Sequence, residues 1–260
     1  MITRVLTVLT RGFARSAAIL PFLLLGGCCI APADRSFKLT PAASIEAGFA
    51  IPSIRERMIY LARQEWTLFG RPVADYSNDP PALVYPTETE HGFETQPPLL
   101  SRVILYWYTA TSLPMVGYDG ELRPWSGAFI VWLARSAGVP ERDLPSTVLH
   151  WDYIEHALKA GNKNRFVAHS ARSYPPKPGD LLCAPRGGPF IAEVNKFERL
   201  RRGTFHCDLV VEQKPGALDL IGGNVLDAVS LTNVALDASG CALPSRERPW
   251  LVVLEQRDID

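Results

Sequence analysis

Apolar residues recur at helical spacing in four stretches between residues 53 and 160. Ser53-Ile54-Arg55-Glu56 has the sequence of a capping box, in which the serine and glutamate side chains satisfy backbone N–H groups at each other's positions. The helix that follows should end near Gly70. The stretch from Ser126 to Ala137 is apolar on nearly every side, which predicts a buried helix. The other two helices are marked by Leu100 to Trp107 and by Ser146 to Ala160.

The pattern changes after Pro178-Gly179, where short β-rich runs alternate with Gly, Pro or charged turns. Helices followed by strands predict an α+β fold, with the N-terminal helices, including the one that starts at Ser126, packed on a mainly antiparallel sheet. Residues 71–98 are rich in proline and show no period, which predicts a long surface loop. The predicted strands are Asp180–Ala184, Phe190–Val194, Cys207–Glu212, Leu218–Ile221, Ala228–Val234 and Trp250–Leu254.

The start of the chain has the features of an export signal. Arg4, Arg11 and Arg15 supply positive charge without any acid, and an apolar run from Ala17 to Leu25 follows them. This order is typical of a secretory signal. The apolar run is also much shorter than the roughly 20 residues that a transmembrane helix needs.

Leu25-Gly26-Gly27-Cys28 resembles the lipobox of bacterial lipoproteins, in which the cysteine is acylated and becomes the new N-terminus. The resemblance implies a signal peptide over residues 1–27 and a lipid on Cys28 that holds the exported protein at a membrane of the cell envelope or periplasm. Cys29 is a rival lipid site, and a plain secretory signal with two incidental cysteines is the alternative. Residues 28–50 indicate a flexible tether, which leaves residues 51–260 as a single domain.

Charge and cysteine usage exclude some classes of function. The chain has 27 basic and 27 acidic residues without a long Lys/Arg run, so nucleic acid is not an expected partner. Because no CxxC or HExxH spacing occurs, the sequence predicts no metal site and no cofactor. Cys183, Cys207 and Cys241 remain beyond the lipobox, and an odd number cannot all pair. Cys183 and Cys207 either bond across two strands or are small buried apolar residues, and the demanding geometry of a disulfide favours the second interpretation.

Three short segments contain side chains suited to acyl-transfer chemistry. Ser126 begins the buried helix, His206 begins a strand, and Asn224 follows the next strand beside two glycines. These residue types can supply a nucleophile, a general base and a group that orients the base. Asp208 should lie on the same face of its strand as His206, so Asp208 is an alternative orienting group. In the competing interpretation Ser126 is only the N-cap of its helix.

The order of these segments is similar to that of CHAP-type amidases and peptidases, which are papain-like enzymes that cut amide bonds in bacterial cell walls. The shared order is a helix-borne nucleophile, a strand opened by Pro178-Gly179-Asp180, a histidine at a strand start, and Gly-Asn after the following strand. The segments WSGAFIVWLARSAGV, HWDYIEHA and IGGNV are together similar to a bacterial family of unknown function. The resemblance covers the chain from about Ile54 to its end and implies a papain-like (CHAP-like) α+β fold.

One departure from the CHAP pattern bears on the chemistry. This chain has Ser126 where the pattern has cysteine, and a serine hydroxyl does not ionise as a thiol does at a helix N-terminus. His206 would therefore have to act as a general base in every turnover. The resemblance implies hydrolysis of a cell-envelope amide such as a peptidoglycan peptide by Ser126, His206 and Asn224. The alternative is a non-catalytic lipoprotein that binds a cell-wall peptide or an envelope protein in the same groove.

Overall fold

The computed structural model of the chain describes residues 51–77, 79–86, 92–116 and 123–258. The predicted signal peptide, the lipid site at Cys28 and the tether lie outside the described residues. The described residues belong to one compact unit, Ala50–Asp260. Within this part of the chain, no helix is both long enough and apolar enough to cross a membrane.

Five α-helices lie in the described part of the chain, and the predicted capping box opens the first of them. The Ser53 hydroxyl accepts the backbone N–H of Glu56 at 3.2 Å, and the Glu56 carboxylate accepts the backbone N–H of Ser53 at 2.7 Å. The helices are α1 (Ile54–Leu68), α2 (Leu99–Thr111), α3 (Ser126–Ser136), α4 (His150–Ala160) and α5 (Gly188–Glu193).

Helix α4 begins at His150, four residues after the predicted start at Ser146. The preceding segment is extended at Leu149, and its backbone N–H is held by the Thr147 hydroxyl at 3.0 Å. The Val148 carbonyl lies directly against Gly127 of α3, so this segment is fixed by its packing on the neighbouring helix.

A sheet of eight strands forms the other layer, in the order β2-β1-β7-β6-β5-β4-β8-β3. Every neighbouring pair is antiparallel except β1 and β7, which confirms the prediction of a mainly antiparallel α+β fold. The strands are β1 (Val73–Asp75), β2 (Ala82–Val84), β3 (Phe166–Ser170), β4 (Leu181–Pro185), β5 (Phe205–Lys214), β6 (Ala217–Val225), β7 (Ala228–Ala235) and β8 (Val252–Gln256).

Two predictions of secondary structure are wrong, and one strand was not predicted. Residues 71–98 are not simply a loop, because they contain β1 and β2. Phe190–Val194 was expected to be a strand and lies mostly in helix α5, since Gly187 adopts a positive φ of 88° and Pro189 occupies the first turn of the helix. Strand β3 was missed because only its first two residues are fully buried and its pattern is not alternating.

Helix α3 packs on β5 and β6, as predicted, and its side chains Phe129, Ile130 and Leu133 are fully buried. We call the face of the sheet that carries α3 the near face and the opposite face the far face. Consecutive strand residues alternate between the two faces, so each face has its own apolar cluster. The far-face cluster includes Leu182, Ala184, Val210, Leu220 and Val253.

A disulfide joins Cys183 of β4 to Cys207 of β5, so the interpretation that favoured two unbonded cysteines is wrong. The two residues lie directly opposite each other in the ladder, with 4.0 Å between their Cα atoms. This close spacing is typical of a pair that exchanges no backbone hydrogen bonds. The backbone N–H of Cys207 therefore points away from β4, towards β6.

Candidate functional site

The site lies where strands β5 and β6 separate. Their ladder ends at the pair Leu209–Ile221, although β5 extends back to Phe205 and β6 continues to Val225 in its pairing with β7. The backbone N–H of Cys207 consequently has no strand partner on the β6 side. Side chains from α3, α4 and β5 fill the opening, which we call the β5–β6 gap.

Ser126 and His150 meet at this gap. The Oγ atom of Ser126 lies 2.7 Å from Nε2 of His150, although 24 residues separate them in the chain. Ser126 is the first residue of α3, and the N-cap position is occupied by Trp125, which makes no side-chain capping bond. The interpretation of Ser126 as a helix cap is therefore wrong, because its hydroxyl binds a histidine of the next helix.

The direction of the hydrogen bonds around His150 is fixed by a backbone group. The N–H of Cys207 donates to Nδ1 of His150 at 3.2 Å, and the Tyr153 hydroxyl also contacts Nδ1. Burial raises the pKa of Tyr153 well above its ordinary value, so its hydroxyl keeps its proton. Because Nδ1 accepts the backbone N–H, the proton of the neutral ring is on Nε2. His150 therefore donates to Ser126, and the serine oxygen is the acceptor.

A second histidine lies beside this pair. His206 of β5 and His150 have ring centroids 5.1 Å apart, and Nε2 of His206 lies 2.7 Å from Oδ1 of Asp208. His206 and Asp208 lie on the same face of β5, as the alternation of strand side chains predicts, and there they contact each other. Neither Nδ1 of His206 nor Oδ2 of Asp208 has a hydrogen-bond partner among the residues that the structure describes.

Burial sets the charge of the cluster. Desolvation lowers the pKa of His206 to about 4, against the attraction of Asp208. Desolvation also lowers the pKa of His150 well below its ordinary value, and His206 adds to this shift. Burial would raise the pKa of Asp208, but its contact with His206 and the positive charges of Arg248 and Arg186 hold it below its ordinary value. At neutral pH the cluster therefore contains two neutral imidazoles and one carboxylate.

Glycines permit the close packing around the gap. A Cβ atom on Gly127 would lie 2.3 Å from the Val148 carbonyl oxygen, so only glycine lets α3 approach the segment before α4. A Cβ on Gly222 would lie 1.7 Å from Oδ1 of Asp208, and one on Gly223 would lie 2.5 Å from Phe129. Contacts of real Cβ atoms are longer than these, so each glycine marks a place where a neighbour occupies side-chain space.

Asn224 has a backbone role rather than a contact with His206. It adopts a positive φ of 53° at the irregularity between Gly222 and Val225, where asparagine is better tolerated than most residues. Leu226 and Asp227 also have positive φ and form the two-residue turn between β6 and β7. In the described part of the chain the Asn224 side chain makes no hydrogen bond, so the expected Ser126–His206–Asn224 chain of contacts is not formed.

The cluster is closed to solvent. Ser126 is 5% exposed and His150 is 4% exposed, while His206 and Asp208 are fully buried. Trp125, the residue before α3, is also fully buried, and its indole N–H donates to Glu94 at 2.8 Å.

The sequence missed His150 and Tyr153, which complete the site. Both residues lie within the helix predicted from Ser146 to Ala160, but their contact with Ser126 depends on how α4 is oriented against α3. The segment HWDYIEHA was singled out only for its similarity to a family, and it contains both residues. No group of three His, Cys, Asp or Glu within the described ranges is arranged to hold a metal ion.

Comparisons with known proteins add a family match. The model of an uncharacterized protein conserved in bacteria (DUF2272) matches residues 99–256, which include every residue of the cluster described above. This match confirms the similarity to a bacterial family of unknown function. Searches of curated proteins and of solved structures found no match.

Proposed function

Because the chain belongs to the uncharacterized bacterial family DUF2272, we propose a function from the geometry of its own site. We propose that the protein is a non-catalytic module of the cell envelope that binds a peptide or protein partner. In this proposal a lipid on Cys28 tethers a papain-like (CHAP-like) domain to a membrane. Ser126 and His150 then serve as a structural link between α3, α4 and β5.

The direction of the Ser126–His150 hydrogen bond carries this proposal. A general base must offer a lone pair to the serine hydroxyl, but Nε2 of His150 holds a proton and donates it. In serine hydrolases the orienting group accepts a proton from the far side of the imidazole ring. Here the far side of the ring faces the backbone N–H of Cys207, which can only donate, and the hydroxyl of Tyr153. The arrangement therefore supports a structural serine rather than an activated one.

The burial of the serine supports the same proposal. A substrate carbonyl must reach the nucleophile at van der Waals distance, yet only 5% of Ser126 is exposed. The order of Ser126 on α3, Pro178-Gly179-Asp180 before β4 and His206 on β5 agrees with the CHAP-like pattern and supports a common ancestry of fold. It does not require that the ancestral chemistry persists.

A measurement of the histidine tautomer tests the proposal directly. Nitrogen-15 NMR at neutral pH should show a protonated Nε2 and an unprotonated Nδ1 for His150, and Ser126→Ala serves to assign the perturbed resonance. A fluorophosphonate serine probe should leave the wild-type protein unlabelled. A proton on Nδ1, together with labelling that disappears in Ser126→Ala, would refute the non-catalytic proposal.

A second candidate is the amide hydrolase implied by the CHAP-like pattern, and one observation favours it. Ser126 lies at the N-terminus of α3, where backbone N–H groups can stabilise an oxyanion, and a histidine nitrogen is 2.7 Å from its hydroxyl. Catalysis by His150 would require its proton to move to Nδ1, which breaks the contact with Cys207, and the buried Ser126 to become accessible to a substrate. Release of soluble peptides from purified cell-wall fragments by the wild type but not by Ser126→Ala would establish this candidate.

The membrane tether has its own test. We expect the mature protein to begin at an acylated Cys28, so mass spectrometry of its N-terminal peptide should find a lipid-modified cysteine. Cys28→Ala should release the protein from the membrane or leave the precursor uncut. An unmodified N-terminus at another residue would refute the lipoprotein proposal without bearing on the role of Ser126.

A further inference from the structure

A surface cavity lies between the turn that follows α3 and the C-terminal half of α4. Its volume is about 310 Å³, which is within the range of roughly 300–1,000 Å³ that small-molecule sites occupy. The polar part of its lining consists of residues 142–143 after α3, His156 on α4, and Lys163, Asn164 and Arg165 between α4 and β3. None of these residues belongs to the Ser126–His150 site.

A buried ion pair forms part of the lining. Nε of Arg165 lies 3.4 Å from Oδ2 of Asp143, and each residue is 8% exposed. Asn164 holds the two together, because its Nδ2 donates to the Asp143 carbonyl at 3.0 Å and its Oδ1 accepts the backbone N–H of Arg165 at 2.7 Å. Nη1 of Arg165 also donates to the carbonyl of Arg257 at 3.0 Å. These side chains are therefore held in place before any ligand binds, which lowers the entropic cost of binding.

Two exposed cations complete the charged lining. Lys163 is exposed, and so is 84% of the Arg142 side chain. Nε2 of His156 donates to the backbone carbonyl of Arg142 at 2.8 Å, which ties the turn after α3 to α4. Nε of Arg142 lies 3.9 Å from Oδ1 of Asp143, and an exposed contact of this length contributes little energy. The guanidinium of Arg142 can therefore turn towards an anion in the cavity at little cost.

The charges of this lining favour a doubly negative ligand. Arg142, Lys163 and Arg165 supply three positive charges and Asp143 supplies one negative charge, so two positive charges are in excess even when His156 is neutral. We propose that the cavity binds a dianionic phosphate group, either as inorganic phosphate or as the phosphate of a small organic molecule. Guanidinium groups present parallel N–H donors that match phosphate oxygens.

The size of the cavity favours the organic phosphate. Its volume is about ten times the roughly 30 Å³ that one water molecule occupies, whereas phosphate has only five non-hydrogen atoms. The stem of Lys163 and the side chain of Ala160 offer apolar surface to a carbon chain. Binding at this cavity does not depend on whether Ser126 is catalytic or structural.

Titration calorimetry of the full-length protein in nonionic detergent tests the site. The probes are glycerol 3-phosphate, inorganic phosphate and N-acetylalanine, which carries one carboxylate, each at pH 7.5 and at constant ionic strength set with chloride. At this pH a phosphate monoester is doubly charged, since its second pKa is about 6. We expect N-acetylalanine to bind about fivefold more weakly than the better phosphate, or less tightly still. The phosphate that binds more tightly identifies the source of the group.

Arg142→Gln and Lys163→Gln should each weaken phosphate binding by about fivefold or more, because a charge-assisted contact is lost. Arg199→Gln and Lys196→Gln are the matched controls, since both residues are exposed and lie outside the cavity, and each should change the affinity by no more than about twofold. All four side chains are exposed, so circular dichroism should show a wild-type fold.

Three results would overturn the proposal. The first is that neither phosphate binds the wild-type protein. The second is that N-acetylalanine binds as tightly as the phosphates, which would show that the double charge is not recognised. The third is that Arg142→Gln and Lys163→Gln bind phosphate as tightly as their controls do, which would place the binding elsewhere on the molecule.

Discussion

Replacement of Ser126 by alanine separates a structural serine from a catalytic one. The substitution removes the acceptor of the His150 Nε2–H group. That donor stays buried, because only 4% of His150 is exposed. A buried donor that loses its partner costs about 1–3 kcal/mol. We therefore expect the free energy of unfolding of Ser126→Ala to fall by that amount. A purely catalytic serine would instead lose activity with little change in stability.

Urea unfolding, followed by tryptophan fluorescence, measures the effect. Ser136→Ala is the matched control, because Ser136 ends the same helix and its side chain is exposed. The control should stay within about 0.5 kcal/mol of the wild type. If Ser126→Ala unfolds at the same urea concentration as Ser136→Ala, the hydroxyl does not hold His150 in place, and the structural role given to Ser126 is wrong.

Three further predictions use the same unfolding assay. Gly127→Ala should lower the free energy of unfolding by about 1–3 kcal/mol because its new methyl group meets backbone atoms. Gly188→Ala has open space around the new methyl group, so it should leave stability unchanged or raise it by up to about 1 kcal/mol. Equal effects of the two substitutions would contradict the packing argument. Leu133→Ala should cost about 2–5 kcal/mol because the side chain is fully buried, and a smaller loss would show that the core is looser than described. On acidification from pH 6.5 to 4, His206 should lower the free energy of unfolding by about 3 kcal/mol, because burial lowers its pKa in the folded protein to about 4. Asp180 should raise the free energy of unfolding by a similar amount over the same range, because burial raises the pKa of its carboxyl to about 6. Asp180→Asn should therefore lose stability with acid more steeply than the wild type, and parallel curves would refute the assignment.

Local signals in the sequence were sufficient for several features of the molecule. The capping box at Ser53 and the buried helix at Ser126 depend on residues three or four positions apart, and the structure has both. The placement of His206 and Asp208 on one face follows from the two-residue period of a strand. The order of helices and then strands was enough for the α+β class.

The Ser126–His150 contact could not be predicted in this way. It requires α4 to begin after an extended segment, that segment to lie against Gly127, and β5 to part from β6 at Cys207. Each of these depends on contacts between distant parts of the chain. The strand predicted at Phe190 failed for a related reason, since a short apolar run has no period that distinguishes a strand from a helix.

The order of the strands has a consequence for how the protein behaves at high concentration. The longest strands, β5, β6 and β7, all lie inside the sheet, whereas β2 at one edge has three residues and β3 at the other has five. An edge strand offers unpaired backbone groups that can recruit a strand from another molecule and so begin aggregation. Here the small ribbon of β1 and β2 lies beside β7, so the long apolar strand does not become the edge. A chain that lost this ribbon would expose β7, and self-association is the failure we would expect from it.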